Sequence, residues 1–260
     1  MSPETAAALG AVARAPRLLV ALDFDGTLSP LEDEPMQARM LPAARAAVEA
    51  LTKAPGTVVA LVSGRSLHDL REIAEHHDDS AVYLAGSHGA EVWVPGSGPV
   101  EVADDAEHLA LRDRLRTRAE EATTGMAGVW IEPKTFGFGV HTRTADAATA
   151  AAANAAADRI VTAEAPHWRR RTGHNIVEYA FRHEGKDTAV AELRELTAAD
   201  AVLFAGDDVT DEDALRSLGP GDLGVHVGDR ETAAAVRVAD IPAFADLLMT
   251  LADERGHRRE

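Results

Sequence analysis

The chain of 260 residues contains no cysteine. Disulfides, zinc–thiolate sites, iron–sulfur clusters and thiol catalysis are excluded at once. Lysine is scarce: Lys53, Lys134 and Lys186 are the only three among 26 basic residues. Each is a candidate for a place where a compact point charge serves better than a planar fork, with chance retention the plain alternative. Positive charge is scarce overall, since 26 basic against 43 acidic residues leave a net charge of −17 and a pI near 5.0. That balance argues against nucleic acid and anionic membrane as partners, because both need a basic face. It admits a small anionic substrate, for a few placed cations or a bound metal reverse the field locally. No stretch of about 18 apolar residues exists, so no transmembrane helix is expected. The start, MSPETAAALGAVARAPRLLV, has no basic segment followed by an apolar run and a cleavage site. A cytoplasmic location is therefore expected, and the chain is taken as a monomer.

What is present is ordinary for a globular protein: 46% apolar and 27% charged residues. The length predicts one large domain or two modest ones, enough to bury a core. Short apolar runs at 18–23, 58–63, 81–86, 201–206 and 223–228 read as strands buried on both faces. Helical patterns at 42–53, 66–77, 187–196, 210–218 and 242–252 lie beside them, the second opening on a Ser-x-x-Asp start similar to a capping box. Strand–helix alternation predicts an α/β fold with a doubly wound parallel sheet. The middle breaks the pattern. A Pro/Gly-centred hairpin is expected over 92–102, and then a helix at 104–121. Strands at 129–132 and 136–142 follow, then an alanine-rich helix at 145–163 and strands at 168–172 and 175–179. This reads as an inserted α+β module, with boundaries at 1–103, 104–181 and 182–260. The charged residues 253–260 are expected to fray.

Chemistry concentrates at strand ends, where open α/β sheets place their sites. Asp23-Phe-Asp25-Gly26-Thr27-Leu28 follows the first strand, and its two carboxylates at i and i+2 can share a crevice. Read alone, the same residues are equally a solvated turn. Ser63-Gly64-Arg65 follows the second strand and opens a helix, so it offers a phosphate cradle or an ordinary N-cap. Lys186 precedes a helix. Asp207-Asp208 ends the fourth strand inside an acidic run, where the plain reading is decoration of a helix N-terminus. Adjacent carboxylates there repel each other without a cation, and a hard oxygen-seeking ion such as Mg²⁺ fits them better.

In order, DFDGTL, SGR, an isolated lysine and GDDVTDED resemble the haloacid-dehalogenase-like phosphatase superfamily. The inserted module is similar to the mobile cap of one of its subclasses. DFDGTLSP, Gly86-Ser-His88-Gly89-Ala-Glu91, Glu132-Pro-Lys134, His141-Thr-Arg143 and GDDVTDEDAL resemble the trehalose-6-phosphate phosphatase family more specifically, over about residues 17–250. The resemblance implies a Mg²⁺-dependent phosphatase acting on a small sugar phosphate. Asp23 would be the nucleophile and Asp25 the acid/base. Mg²⁺ would sit on Asp23, the Asp25 carbonyl and Asp207, with Asp208 in or near its shell. Ser63, Gly64, Arg65 and Lys186 would hold the phosphoryl group. His88, Glu91, Glu132, Lys134, Arg143 and Glu178 would grip the sugar. For His88 the alternative is a structural histidine, and for Glu132, Arg143 and Glu178 it is surface ion pairing. The chain departs from the family's usual pattern at Thr142, where tyrosine is common, and at Asp187, where glycine is. Another glycosyl phosphate as substrate, or a silent sensor of sugar phosphates, are the rival readings.

Overall fold

Five-residue apolar runs with no polar alternation are stable only when both faces of their sheet are covered. The computed structural model, which describes residues 1–100, 106–173 and 175–257, meets that demand with helices on both sides of a parallel sheet. The chain divides into two compact units, Met1–Val100 with Glu184–Glu260, and Glu101–His183.

In the first unit, α1 (Pro3–Ala13) is capped by Ser2, whose hydroxyl accepts from the Thr5 backbone N–H at 3.2 Å. β1 (Leu18–Leu22), α2 (Pro42–Lys53), β2 (Thr57–Val62), α3 (Leu67–Ile73) and β3 (Tyr83–Gly86) follow. β4 (Glu91–Val94) and β5 (Gly98–Pro99) form the expected hairpin; its arm through Val102 lies outside the described residues, as do the expected 103/104 boundary and the expected helix start at 104. In the second unit come α4 (Ala106–Thr123), β6 (Trp130–Lys134), β7 (Gly137–His141), α5 (Ala147–Glu164), β8 (Arg169–Gly173) and β9 (Ile176–Ala180). The chain then returns to the first unit with α6 (Lys186–Thr197), β10 (Ala201–Gly206), α7 (Glu212–Ser217), β11 (Leu223–Val227), β12 (Val236–Val238) and α8 (Ile241–Gly256).

The large sheet runs β12-β11-β10-β1-β2-β3-β4-β5, parallel from β12 to β3 and antiparallel at the β4 and β5 edge. Alternate residues of β1 serve opposite cores. Leu18, Val20 and Leu22 pack with α1, α2, α3 and α8, while Leu19 and Ala21 pack with α6 and α7. Strand order reverses at β1, which lies between β2 and β10, so the carboxyl ends of β1 and β10 are neighbours, with Leu22 opposite Ala205. Such a switch point is where doubly wound sheets open a crevice. In the second unit an antiparallel sheet, β6-β7-β9-β8, turns Phe138, Val140, Val177 and Tyr179 toward α4 and α5.

The chain end corrects the expectation of fraying. α8 continues through Gly256, and Arg255 is 1% exposed. Its guanidinium donates to the carbonyls of Ala13, Ala15, Pro55 and Gly56 and to the Thr57 hydroxyl, at 2.6–3.0 Å. A charged residue near the end of this chain is a buried tie between α1, the α2–β2 link and α8. Residues 258–260 lie outside the described residues.

Candidate active site

Past β1 the chain turns sharply. The Phe24 carbonyl accepts from the N–H groups of Thr27, Leu28 and Ser29, and Phe24 itself is fully buried. The flanking Asp23 and Asp25 therefore project away from the core side chain between them. Gly26 adopts φ +84°, and a Cβ there would lie 2.2 Å from an Asp207 carboxylate oxygen. Only glycine permits that approach. Past β10, a Cβ on Gly206 would meet the Asp211 carboxyl carbon at 2.1 Å. Asp211 accepts from the backbone N–H groups of Asp207 (3.2 Å) and Asp208 (3.0 Å), which folds the acidic loop back on itself.

The result is a cluster. Carboxylate oxygens of Asp23, Asp207 and Asp211 lie within 4.8 Å of one another. Lys186, 4% exposed, donates to Asp23 at 2.5 Å and to Asp211 at 2.6 Å. The Thr27 hydroxyl reaches Asp23 (3.2 Å) and Asp207 (3.3 Å). Lys186 is the first residue of α6, where a cation opposes the helix dipole. Asp23 and Asp211 hold it there. Asp187 sits in the first turn without capping the helix; that start is closed by the Thr188 hydroxyl, which accepts from the Gly185 N–H at 2.8 Å.

Burial pushes the Asp23 carboxyl well above its usual range; Lys186 opposes the shift, while Asp211 and Asp207 add to it. Asp207 is pushed up to about 7, chiefly by burial and then by the Asp211 charge. Burial works against the Lys186 charge, but Asp211 and Asp23 outweigh it and the net shift is upward. Three carboxylates against one ammonium leave negative charge uncompensated. An all-oxygen set of this kind suits a hard divalent cation. The cluster contains two of the expected metal carboxylates, Asp23 and Asp207, and adds Asp211. Asp208 lies outside it, paired with Arg230 at 2.6 Å.

The remaining strand-end residues of this unit form a second layer. Ser63 is 2% exposed and its hydroxyl accepts from the Arg65 N–H at 3.1 Å. Arg65 does not lie open to solvent: it grips both oxygens of Asp25, with Nε and one terminal nitrogen each at 2.6 Å. His88, at φ +59°, seats its ring against Gly64, where a Cβ would lie 2.7 Å from Cε1. Its N–H donates to the Ser63 carbonyl at 2.9 Å. Glu91 accepts from the Ser87 hydroxyl at 2.5 Å and the Leu67 N–H at 3.1 Å, so it ties the 87–91 turn to the start of α3.

In the second unit, Glu132 and Glu178 occupy one row across the sheet, with Gly139 between them. Lys134 bridges them, at 2.9 Å from Glu132 and 3.3 Å from Glu178. His141 meets Glu132 at 2.6 Å and stacks on Trp130 at 4.4 Å between ring centres. This face lies opposite the apolar face that packs on α4 and α5. Arg143 follows the end of β7 and is exposed. Lys53, the third of the lysines, is a plain exposed cation in the last turn of α2.

The family model for trehalose-phosphatase matches residues 21–240. The chain belongs to the trehalose-phosphatase family. It is 30% identical over 258 residues to trehalose-phosphate phosphatase from Mycobacterium marinum, and 33% identical over 261 residues to that from Mycobacterium tuberculosis. Each match covers 92% of this chain and 62% of the relative, so the chain spans somewhat less than two thirds of their length. Among solved structures, the C-terminal domain of trehalose-6-phosphate phosphatase from C. albicans superposes with a TM-score of 0.79 at 21% identity, covering 96% of both chains. A haloacid-dehalogenase-like hydrolase from B. subtilis superposes at 0.58 and 14% identity, covering 88% of this chain and 98% of that one. The fold is haloacid-dehalogenase-like, as expected from the motifs. For this trehalose-phosphatase family member, reading the sequence missed the place of Asp211 in the cluster, the Arg65–Asp25 pair and the His141–Glu132 contact. The spacing of Asp207 and Asp211, four residues apart in one loop, was the available signal for the first. The Arg65–Asp25 contact spans 40 residues and has no local signal.

Proposed function

We propose that the chain hydrolyses trehalose 6-phosphate to trehalose and inorganic phosphate. The observation that carries this reading is the buried Asp23–Lys186–Asp211–Asp207 cluster at the switch point of the sheet. Asp23 is the nucleophile. One of its oxygens bonds to phosphorus as the bond from phosphorus to the sugar oxygen breaks, and Asp25 supplies the proton that the leaving oxygen needs. In the second step Asp25 takes a proton from water, the water oxygen bonds to phosphorus, and the bond to Asp23 breaks to release phosphate and restore the carboxylate. Lys186, Ser63 and Gly64 bind the phosphoryl oxygens, with the Lys186 ammonium offsetting their charge, which is the main demand of phosphoryl transfer. Burial of Asp23 and Lys186 keeps water from competing with these contacts.

The cluster fits a divalent cation: its oxygens converge, its charge is undercompensated, and Asp207 holds a proton up to about 7 without one. Asp23, Asp207 and Asp211, with the Asp25 carbonyl, are the residues that would hold Mg²⁺, and Asp208 would act from beyond them. Bound there, Mg²⁺ would supply charge neutralisation to the phosphoryl group. Sugar recognition is assigned to His88, Glu91, Glu132, Lys134, Arg143 and Glu178. Its support in the second unit is the Glu132–Lys134–Glu178 cluster, which offers donors and acceptors suited to hydroxyl groups. The 104–181 module is proposed as the cap of the superfamily's architecture.

The test is phosphate release from trehalose, sucrose and glucose 6-phosphates and a mannosyl phosphoglycerate, with Mg²⁺ and with a chelator. The expected result is Mg²⁺-dependent preference for trehalose 6-phosphate, abolished in Asp23→Asn. Preference for another ester would keep Asp23 and replace the substrate. Metal-dependent binding without release would replace the enzyme by a sensor.

A further inference from the structure

Arg65 belongs to a turn whose backbone is fixed on both sides. Its N–H donates to the Ser63 hydroxyl at 3.1 Å, and its carbonyl accepts from the Ser87 N–H at 2.6 Å. From that anchored position the guanidinium meets Asp25 edge to edge, Nε on Oδ2 and a terminal nitrogen on Oδ1, both at 2.6 Å. The two side chains are 17% and 25% exposed. A planar fork on a planar carboxylate fixes distance and also the plane and rotation of the acid. The turn carrying Asp25 is itself closed by the Gly26 N–H on the Ser29 carbonyl at 2.7 Å. Between two fixed backbones, the orientation of the Asp25 oxygens is set by Arg65.

We infer that Arg65 is a positioning residue for the Asp25 carboxylate and not primarily a phosphate ligand. The inference rests on the reading of the chain as a phosphatase with Asp25 as its acid/base. One fork of the guanidinium is already occupied by Asp25, so phosphoryl oxygens do not find it open. The proton that passes between Asp25 and the sugar oxygen must leave along a defined direction, and small misplacements of a catalytic group are expensive in rate. Arg65 defines that direction.

The leaving group separates the two roles. A sugar alkoxide needs its proton, whereas p-nitrophenolate departs as a stable anion without one. Arg65→Ala and Arg65→Lys are compared with wild type on trehalose 6-phosphate and on p-nitrophenyl phosphate, with Mg²⁺ present. The expected result is a fall in kcat of about 10- to 100-fold on trehalose 6-phosphate with its KM within about 3-fold, and single-turnover release of p-nitrophenolate, with enzyme in excess, also within about 3-fold, because only the later water step of that ester calls on Asp25. Lysine, a point charge without a fork, does not rescue the loss. In an Asp25→Asn background, Arg65→Ala adds no further loss on trehalose 6-phosphate. A fall in single-turnover p-nitrophenolate release equal to the fall in kcat on trehalose 6-phosphate, or a rise in KM with kcat kept and recovered by lysine, would overturn the inference and make Arg65 a phosphate ligand. If Arg65→Ala does not fold, Arg65→Lys carries the same comparison. If wild type prefers trehalose 6-phosphate but does not turn over p-nitrophenyl phosphate, the split between kcat and KM decides alone. Wild type that releases phosphate from neither ester defeats the phosphatase reading itself and leaves a distinguishable result.

Discussion

Lys186→Met isolates the electrostatics of the cluster. In the wild type, Lys186 makes two ion pairs at 2.5 and 2.6 Å, between side chains only 0–6% exposed. Methionine keeps most of the stem's volume and removes the charge, leaving Asp23 and Asp211 buried beside Asp207 with no ammonium among them. Removing one partner from a buried ion pair costs about 3–5 kcal/mol. For a chain of this size each kcal/mol lowers Tm by about 2–4 °C, so the variant should melt roughly 6–20 °C lower in a chelator. Mg²⁺ should then act in the opposite sense. The variant cluster is more negative, so the cation binds it more tightly and raises its Tm by more than it raises that of wild type. At 100 times the dissociation constant, that stabilisation is about 2.7 kcal/mol. The assay is thermal unfolding of both proteins at neutral pH in chelator and across a Mg²⁺ titration. A Tm within about 2 °C of wild type in chelator, or a smaller Mg²⁺ response in the variant, would refute the account of Lys186 as the internal counter-charge of the three carboxylates.

Arg255→Met strands four backbone carbonyls and the Thr57 hydroxyl in a buried junction, and a loss of about 3–5 kcal/mol is expected in denaturant unfolding, without a change in the Mg²⁺ response. The Asp207 carboxyl has the opposite pH signature to a salt-bridged acid. Folded, it keeps its proton to about 7, against 3.8 as the ordinary value, so the folded state binds more protons across that window. Stability in chelator should therefore fall as pH rises from about 4 to about 7. Asp207→Asn should flatten that slope, and Mg²⁺ should bind more weakly as pH drops below about 7; both are read by Tm against pH.

The parallel sheet, the helices that flank it and the inserted α+β unit were legible because each rests on local pattern. Apolar runs such as Leu18–Leu22 and proline-led starts such as Pro42 declare themselves within a few residues. Lys186 was legible through its rarity. Asp211 was harder, since a run of acids does not say which member folds inward; the answer depends on Gly206, whose missing Cβ makes room for it. Asp208 looks equivalent in sequence and is instead drawn out by Arg230, 22 residues away. Arg255 misled because a charged chain end normally frays, and its partners lie 198 to 242 residues earlier in the chain. β12 is three residues at a sheet edge, with only Val236 and Val238 as its apolar signal. Pairings across such distances are set by tertiary packing and leave no periodic trace.

The most direct measurement is inorganic phosphate release from trehalose 6-phosphate by wild type and Asp23→Asn, each with Mg²⁺ and with chelator, alongside thermal unfolding of both. The account predicts release by wild type with Mg²⁺ alone and none by a folded Asp23→Asn. Turnover by Asp23→Asn near that of wild type would contradict it.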